Sequence, residues 1–266
     1  VPTIRVNDID LHYRLDGPQA APVLVFINSI ATDLTVWDAV VPALQNSFGV
    51  LRYDARGQGK STVTDGPYSI DMLGNDLLSL LDSLSLRRVH LCGLSLGAMV
   101  GMRLATKHPE RIDKLVLCNT AAQIGPPESW DARAEAVRGK GMSAIRTAVL
   151  ERWLSPEFVA QNKEGTERVL NMAHSSPVNG YIGSCAAIRD MDQRESIKSI
   201  TAPTIVVAGT ADAATPPADA RYIANAIPRA IYTELPGGHL SNVEQPTRLG
   251  NAVRSFLLNS SATSSL

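Results

Sequence analysis

The chain has 266 residues, 44% of them hydrophobic, enough for one large domain whose core needs no disulfide staples. Its 25 basic and 26 acidic residues nearly cancel, and the resulting net charge of -1 excludes an electrostatic footprint for nucleic acid or an anionic membrane. Residues 1–8 carry neither a basic flank nor an apolar stretch, and no later apolar run approaches the roughly 18 residues of a membrane helix, so a soluble chain is expected.

In chain order, residues 3–6 and 11–15 read as an antiparallel hairpin turned at Asn7-Asp8. Short apolar runs follow at 23–27, 50–53, 89–92, 115–118 and 204–208, separated by helical patterns, which is the signature of a parallel sheet covered on both faces. A last strand at 230–235 and an amphipathic helix at 247–257 close the fold, giving eight strands. Between Cys118 and Thr204 no convincing buried strand occurs, so most of that stretch is expected to be an insertion, helical near 128–150 and 156–175 and punctuated at 125–127 and 175–180. The expected organisation is an α/β core formed by 1–122 and 190–266, with a mostly parallel eight-stranded sheet, and a helical cap at 123–189. The Ser- and Thr-rich tail 259–266 cannot bury enough to order itself. Cys92, Cys118 and Cys185 lack metal-ligand spacing and read as small buried hydrophobes, which fits a reducing cytoplasm.

The chemistry begins at Gly93-Leu94-Ser95-Leu96-Gly97, directly after a predicted strand and before a helical pattern at 98–105. A serine held on so sharp a strand-to-helix turn needs glycines two residues to either side, because a Cβ there would strike neighbouring backbone. Two further reactive residues follow later strands: Asp212, after 204–208, and His239, after 230–235. The order Ser, Asp, His suits a triad in which His239 takes the Ser95 proton and Asp212 orients the imidazole. Each residue alone has an ordinary reading as a turn, a helix cap or a loop; their joint order after the right strands favours catalysis. The competing histidines His12, His90, His108 and His174 fit less well: His90 lies inside a strand and His108 ends a helix, while His174, in the expected cap, is the one of the four placed to touch substrate, with surface or core packing the favoured reading. Oxyanion donors are expected from the backbone N–H of Leu96, after the nucleophile, and of Ile30, in the loop after 23–27. The segment 54–61 ends like a phosphate-binding loop, but Asp54 stands where its first glycine belongs, so a structural loop beside the active site is expected.

With these residues in place, the whole chain resembles the α/β-hydrolase fold family, whose triad falls on Ser95, Asp212 and His239 and whose Asp-x-Arg-Gly-x-Gly-x-Ser loop matches residues 54–61. Asn28-Ser29 replaces the His-Gly of most relatives. That stretch, residues 28–33, together with 118–125, is similar to the 3-oxoadipate enol-lactonases. The resemblance implies hydrolysis of a small enol-lactone bearing a carboxylate, in aromatic catabolism, with no metal or organic cofactor. It also implies a cationic partner for that carboxylate. The cap offers Arg133, Arg138, Arg146 and Arg152, with Trp130 and Trp153 nearby, and Arg133 and Trp130 are the first choice. Another ester hydrolase, a perhydrolase or a carbon–carbon hydrolase on the same triad stays open, as does a non-catalytic binding protein of this fold, while oligomeric state is not legible.

Overall fold

A computed structural model describes residues 2–259, so the expected frayed tail lies, beyond Asn259, outside the described residues. Strands β1 (Thr3–Val6) and β2 (Ile9–Asp16) form the opening hairpin, turned at Asn7, whose φ of 48° lies in the left-handed region that asparagine tolerates. The other strands are β3 (Val23–Ile27), β4 (Gly49–Tyr53), β5 (Val89–Leu94), β6 (Ile112–Cys118), β7 (Thr204–Gly209) and β8 (Ile231–Leu235). They make one eight-stranded sheet in the order β1-β2-β4-β3-β5-β6-β7-β8. It is parallel from β4 to β8 and antiparallel only where β2 meets β1 and β4. Every residue of β4, β5 and β7 is buried, which is why these strands read as continuous apolar runs and do not alternate. Strand β5 runs two residues beyond its apolar stretch because Gly93 and Leu94 still pair with Leu117 and Cys118.

Helix α1 (Ile70–Ser83) starts where the Ser69 hydroxyl accepts from Met72 N–H, and it turns Leu73, Leu77, Leu80 and Leu81 into the core. Helix α2 (Leu96–Lys107) is buried over most of its length because it packs on both α1 and the strands β5 and β6. Five helices lie between β6 and β7: α3 (Pro127–Lys140), α4 (Arg146–Trp153), α5 (Pro156–Gln161), α6 (Lys163–His174) and α7 (Val178–Arg189). After β7 come α8 (Pro217–Ala226), α9 (Ser241–Glu244) and α10 (Pro246–Leu258), the last containing the expected 247–257.

Two departures from the sequence reading have clear causes. The expected helical stretch 128–150 is divided, because Gly141, at φ 65°, ends α3 and a short 3-10 turn leads into α4. Helix α7 begins inside the segment 175–180, which reads as punctuation. Its glycines serve close approach: a Cβ on Gly180 would lie 1.9 Å from the Gly57 carbonyl oxygen, and one on Gly183 would lie 2.8 Å from the Tyr68 ring. A single antiparallel bridge, Gln123 to Asp192, joins the chain just before α3 to the chain just after α7.

The loop 54–61 is held by its own polar groups. The buried Asp54 carboxylate accepts from Leu34 N–H at 2.7 Å and Lys60 N–H at 2.9 Å and meets His12 Nδ1 at 2.7 Å, while Ser61 Oγ donates to the Asp54 carbonyl at 2.6 Å. Arg56 donates to Asp76 through Nε at 2.7 Å and Nη2 at 2.8 Å, pinning the loop to α1. Among the described residues, no helix is long and apolar enough to cross a membrane, and no group of three or more His, Cys, Asp and Glu side chains could hold a metal ion. All three cysteines are buried and unpaired.

Candidate active site

Ser95 sits between β5 and α2 at φ 54° and ψ -113°, a strained conformation for a residue with a Cβ. The strain is held from several sides. Ser95 N–H donates to the Cys118 carbonyl at 2.9 Å, and the Ser95 carbonyl accepts from Thr120 Oγ1 at 3.0 Å and from the N–H groups of Ala98 at 2.9 Å and Met99 at 3.0 Å. Both glycines are required by space: a Cβ on Gly93 would lie 2.4 Å from Ala98 N, and one on Gly97 would lie 2.2 Å from the Ile27 carbonyl oxygen. Leu96 opens α2, so its N–H lies in the first turn, where amides have no intrahelical acceptor.

Asp212 and His239 follow β7 and β8 and meet beside this turn. His239 Nδ1 lies 2.9 Å from Asp212 Oδ2 and 3.1 Å from Oδ1, with both side chains buried. The carboxylate is oriented by the N–H groups of Ala214 at 2.8 Å and Thr215 at 2.9 Å, by Thr215 Oγ1 at 2.9 Å, and by Asn119 Nδ2 at 3.0 Å. Burial pushes the Asp212 carboxyl up, but the charge and hydrogen bond of His239, with the Thr215 and Asn119 donors, outweigh it and hold the group below the ordinary carboxylate value. Thr215 Oγ1 also lies 3.2 Å from His239 Nδ1. Glu244 holds the histidine loop by accepting from Gly238 N–H at 3.0 Å, and it binds the α4–α5 junction through Ser155 N–H at 2.9 Å and Oγ at 2.6 Å.

The loop after β3 is clamped in the same way. Asn28 Nδ2 donates to the Tyr53 carbonyl at 2.9 Å while its Oδ1 accepts from Trp37 Nε1 at 3.1 Å. The Ser29 carbonyl accepts from Thr32 Oγ1 and Gln58 Nε2, each at 2.9 Å. The polar Asn28-Ser29 pair therefore fastens the end of β3 to β4 and to loop 54–61, and Ile30 is carried to the mouth of the site.

Ser95, His239 and Ile30 line one cavity of about 90 Å³, together with Trp130, Arg133, Arg152 and Trp153. A larger cavity, of about 400 Å³, shares Trp130 but none of the three reactive side chains. Arg133 lies over the Trp130 ring, 4.7 Å from its centroid, and the Trp153 ring centroid is 6.4 Å from that of His239. The first-choice pair Trp130 and Arg133 thus reaches the cavity. Arg138 and Arg146 do not; they pair on the surface with Glu135 and Glu167. Arg152, which sequence reasoning ranked behind Arg133, lines the cavity as well. Asn119, Thr215 and Glu244 were missed as positioning groups. For Asn119 a signal existed, since Asn119-Thr120 is a polar pair directly after the buried strand β6, at the sheet edge where ligands bind.

Comparison with known proteins agrees with this architecture. Residues 22–141 match the family model for the alpha/beta hydrolase fold. The chain is 35% identical over 255 residues to 3-oxoadipate enol-lactonase 2 of Acinetobacter baylyi, covering 96% of each chain. The crystal structure of the enol-lactonase from Burkholderia xenovorans LB400 superposes with a TM-score of 0.95 at 41% identity, covering 97% of this chain and 100% of that one. That of a hydrolase from Pseudomonas aeruginosa PA01 superposes with a TM-score of 0.94 at 44% identity, covering 97% and 98%. With its sheet order, its strained serine turn and relatives that match along nearly its whole length, the chain belongs to the α/β-hydrolase fold family.

Proposed function

We propose that this chain is a serine hydrolase that opens 3-oxoadipate enol-lactone to 3-oxoadipate in the breakdown of aromatic compounds, with Ser95, His239 and Asp212 as its triad. The observation that carries the substrate class is the cavity itself: the serine and histidine share about 90 Å³ with two arginines that have no carboxylate partner among the described residues. Two such guanidiniums beside the serine and histidine suit a small molecule with a negative charge near its reacting carbonyl. The similarity to enol-lactonases along the whole chain supports the same substrate.

In this mechanism Ser95 Oγ attacks the lactone carbonyl as His239 Nε2 takes its proton, and Asp212 stabilises the imidazolium through Nδ1. The tetrahedral oxyanion is held by the backbone N–H groups of Leu96 and Ile30. Collapse breaks the ring carbon–oxygen bond, and His239 returns the proton to the leaving enol oxygen, which stays tethered to the acyl chain. Water, deprotonated by His239, then attacks the acyl-enzyme, and Ser95 leaves with the proton. The freed enol tautomerises to the ketone, which disfavours ring closure. The helices of 123–189 act as a lid carrying Arg133, which binds the substrate carboxylate over Trp130. The chemistry calls for no cofactor, and the only partner required is the small-molecule substrate.

The test is loss of ultraviolet absorbance when purified enzyme meets the enol-lactone, beside Ser95→Ala and a neutral p-nitrophenyl ester. Rapid Ser95-dependent turnover that favours the lactone is the expected result. Ester turnover without lactone turnover would keep the triad and discard the substrate, and neither activity would leave a binding protein.

A further inference from the structure

Opening a lactone that already carries a carboxylate creates a second one, so the reading above, on which this inference rests, implies a product with two negative charges. The cavity presents two positive ones. Arg133, on α3, and Arg152, in the last turn of α4, both line the space that holds Ser95 and His239. Among the described residues neither guanidinium has a carboxylate partner: Arg133 lies over the Trp130 ring, and Arg152 donates to the Ala213 carbonyl at 3.4 Å. The arginines around them are neutralised, Arg138 by Glu135, Arg146 by Glu167 and Arg189 by Asp131 and Asp190. The two without counter-ions are therefore the two that face the reacting atoms. Partial desolvation, and then the charge of Arg133, hold the Arg152 guanidinium below its ordinary value against the opposing pull of Asp212. Like charges lining one cleft repel, and an anion between them relieves the repulsion.

The two arginines are held by different elements. Arg133 stands with Trp130 on α3, whereas Arg152 is bonded to the residue after Asp212 and precedes Trp153, whose ring neighbours His239. We infer that Arg152 is a second anion anchor, holding the carboxylate released at Ser95 while Arg133 holds the pendant one, so that the cavity is a binding site for short linear dicarboxylates and the product competes with substrate. A monocarboxylate of the same length fills only one anchor. One further charge-assisted contact corresponds to about tenfold or more in affinity.

The experiment is calorimetric titration of the full chain with adipate, a six-carbon dicarboxylate, and with hexanoate, its monocarboxylate counterpart. Adipate is expected to bind at least about tenfold more tightly. Arg152→Gln is expected to bring the two affinities together, whereas Arg133→Gln weakens both ligands. Equal affinities in the unaltered protein overturn the inference without recourse to any variant, as does an undiminished preference in Arg152→Gln that melts like the parent. Lactone turnover on the same preparation separates this inference from the reading beneath it. An active lactonase with no adipate preference overturns the dicarboxylate site alone. A preference that Arg152→Gln abolishes, in a protein that leaves the lactone untouched, supports the site and removes the substrate.

Discussion

Asn119 ties together the two loops that carry Asp212 and His239: its single side-chain amide donates to Asp212 Oδ2 at 3.0 Å and to the Gly238 carbonyl at 3.1 Å. Its own oxygen accepts from Ser241 Oγ at 2.5 Å, and a flipped amide would turn that oxygen towards the Asp212 carboxylate and the Gly238 carbonyl, losing both donated bonds. The residue sits at φ 48°, a conformation that glycine also adopts and alanine resists. Loss of the amide leaves a buried carboxylate short of one donor, worth about 1.5–3 kcal/mol. Asn119→Gly should therefore lower kcat by about 10- to 100-fold with KM little changed. Asn119→Ala should lose the same activity and melt below Asn119→Gly, because only alanine adds backbone strain. Equal melting temperatures for the two variants would contradict the strained-turn account.

The acid side of the pH profile should show one proton. In the mechanism proposed above, His239 takes the Ser95 proton only while Nε2 is free, so kcat/KM is expected to fall as pH falls. Because the Asp212 carboxyl is held below the ordinary carboxylate value, it stays charged above about pH 4. A plot of log kcat/KM against pH should approach a limiting slope of one towards acid, and a slope of two would mean that Asp212 titrates with the histidine. The sign for stability follows from the same depression. The Asp212 contribution is present above about pH 4, the unfolded aspartate value, and is lost as pH falls through the lower folded value.

Substrate charge should separate Arg133 from the triad. Arg133→Ala removes the guanidinium over Trp130 without touching Ser95 or His239, so KM for the lactone should rise by about 10- to 100-fold while KM for a neutral ester changes less than about threefold. Steady-state kinetics on both substrates checks this, and equal changes would remove Arg133 from substrate binding.

A methyl group at Gly97 should be enough to spoil the nucleophile turn. Its Cβ would lie 2.2 Å from the Ile27 carbonyl oxygen and 2.8 Å from that of Asn28, and both are backbone atoms that cannot rotate away. Gly97→Ala is expected to cost about 2–4 kcal/mol, lowering the melting temperature by about 5–15 °C. Differential scanning calorimetry reads that shift.

Loop 54–61 should prove structural. Arg56 is buried and meets the buried Asp76 through two hydrogen bonds, whereas its other carboxylate partner, Asp8, is exposed. Asp76→Ala strands most of that charge and should destabilise the fold by about 3–5 kcal/mol in urea unfolding. The folded fraction should keep its kcat, since neither residue lines the cavity of Ser95 and His239.

The strands were legible because burial on both faces of a parallel sheet leaves short runs of apolar residues: β3, β4 and β7 lie within a residue of where their apolar runs do. The nucleophile turn was legible as a motif, but only the demand on Gly93 is local, set by Gly97 and Ala98, whereas Gly97 is required by the Ile27 and Asn28 carbonyls that the sheet brings beside it. The start of helix α7 was hidden, because the segment 175–180, which ends at Gly180, reads as a break unless the approach of Gly57 is known. Asn119 was marked only by its place after β6, and what it and Glu244 bind was hidden for a similar reason, since Asp212 and Ser155 lie far from them in sequence and are brought close by the fold. The arginines mark the division most clearly. By residue type Arg133, Arg138, Arg146 and Arg152 are equivalent; the Arg138 partner, Glu135, stands three residues away on the same helix and is legible in the order of residues, but only tertiary packing decided that Arg146 meets Glu167 while Arg133 and Arg152 line the cavity of Ser95, because a counter-ion on another element is chosen by distance in space.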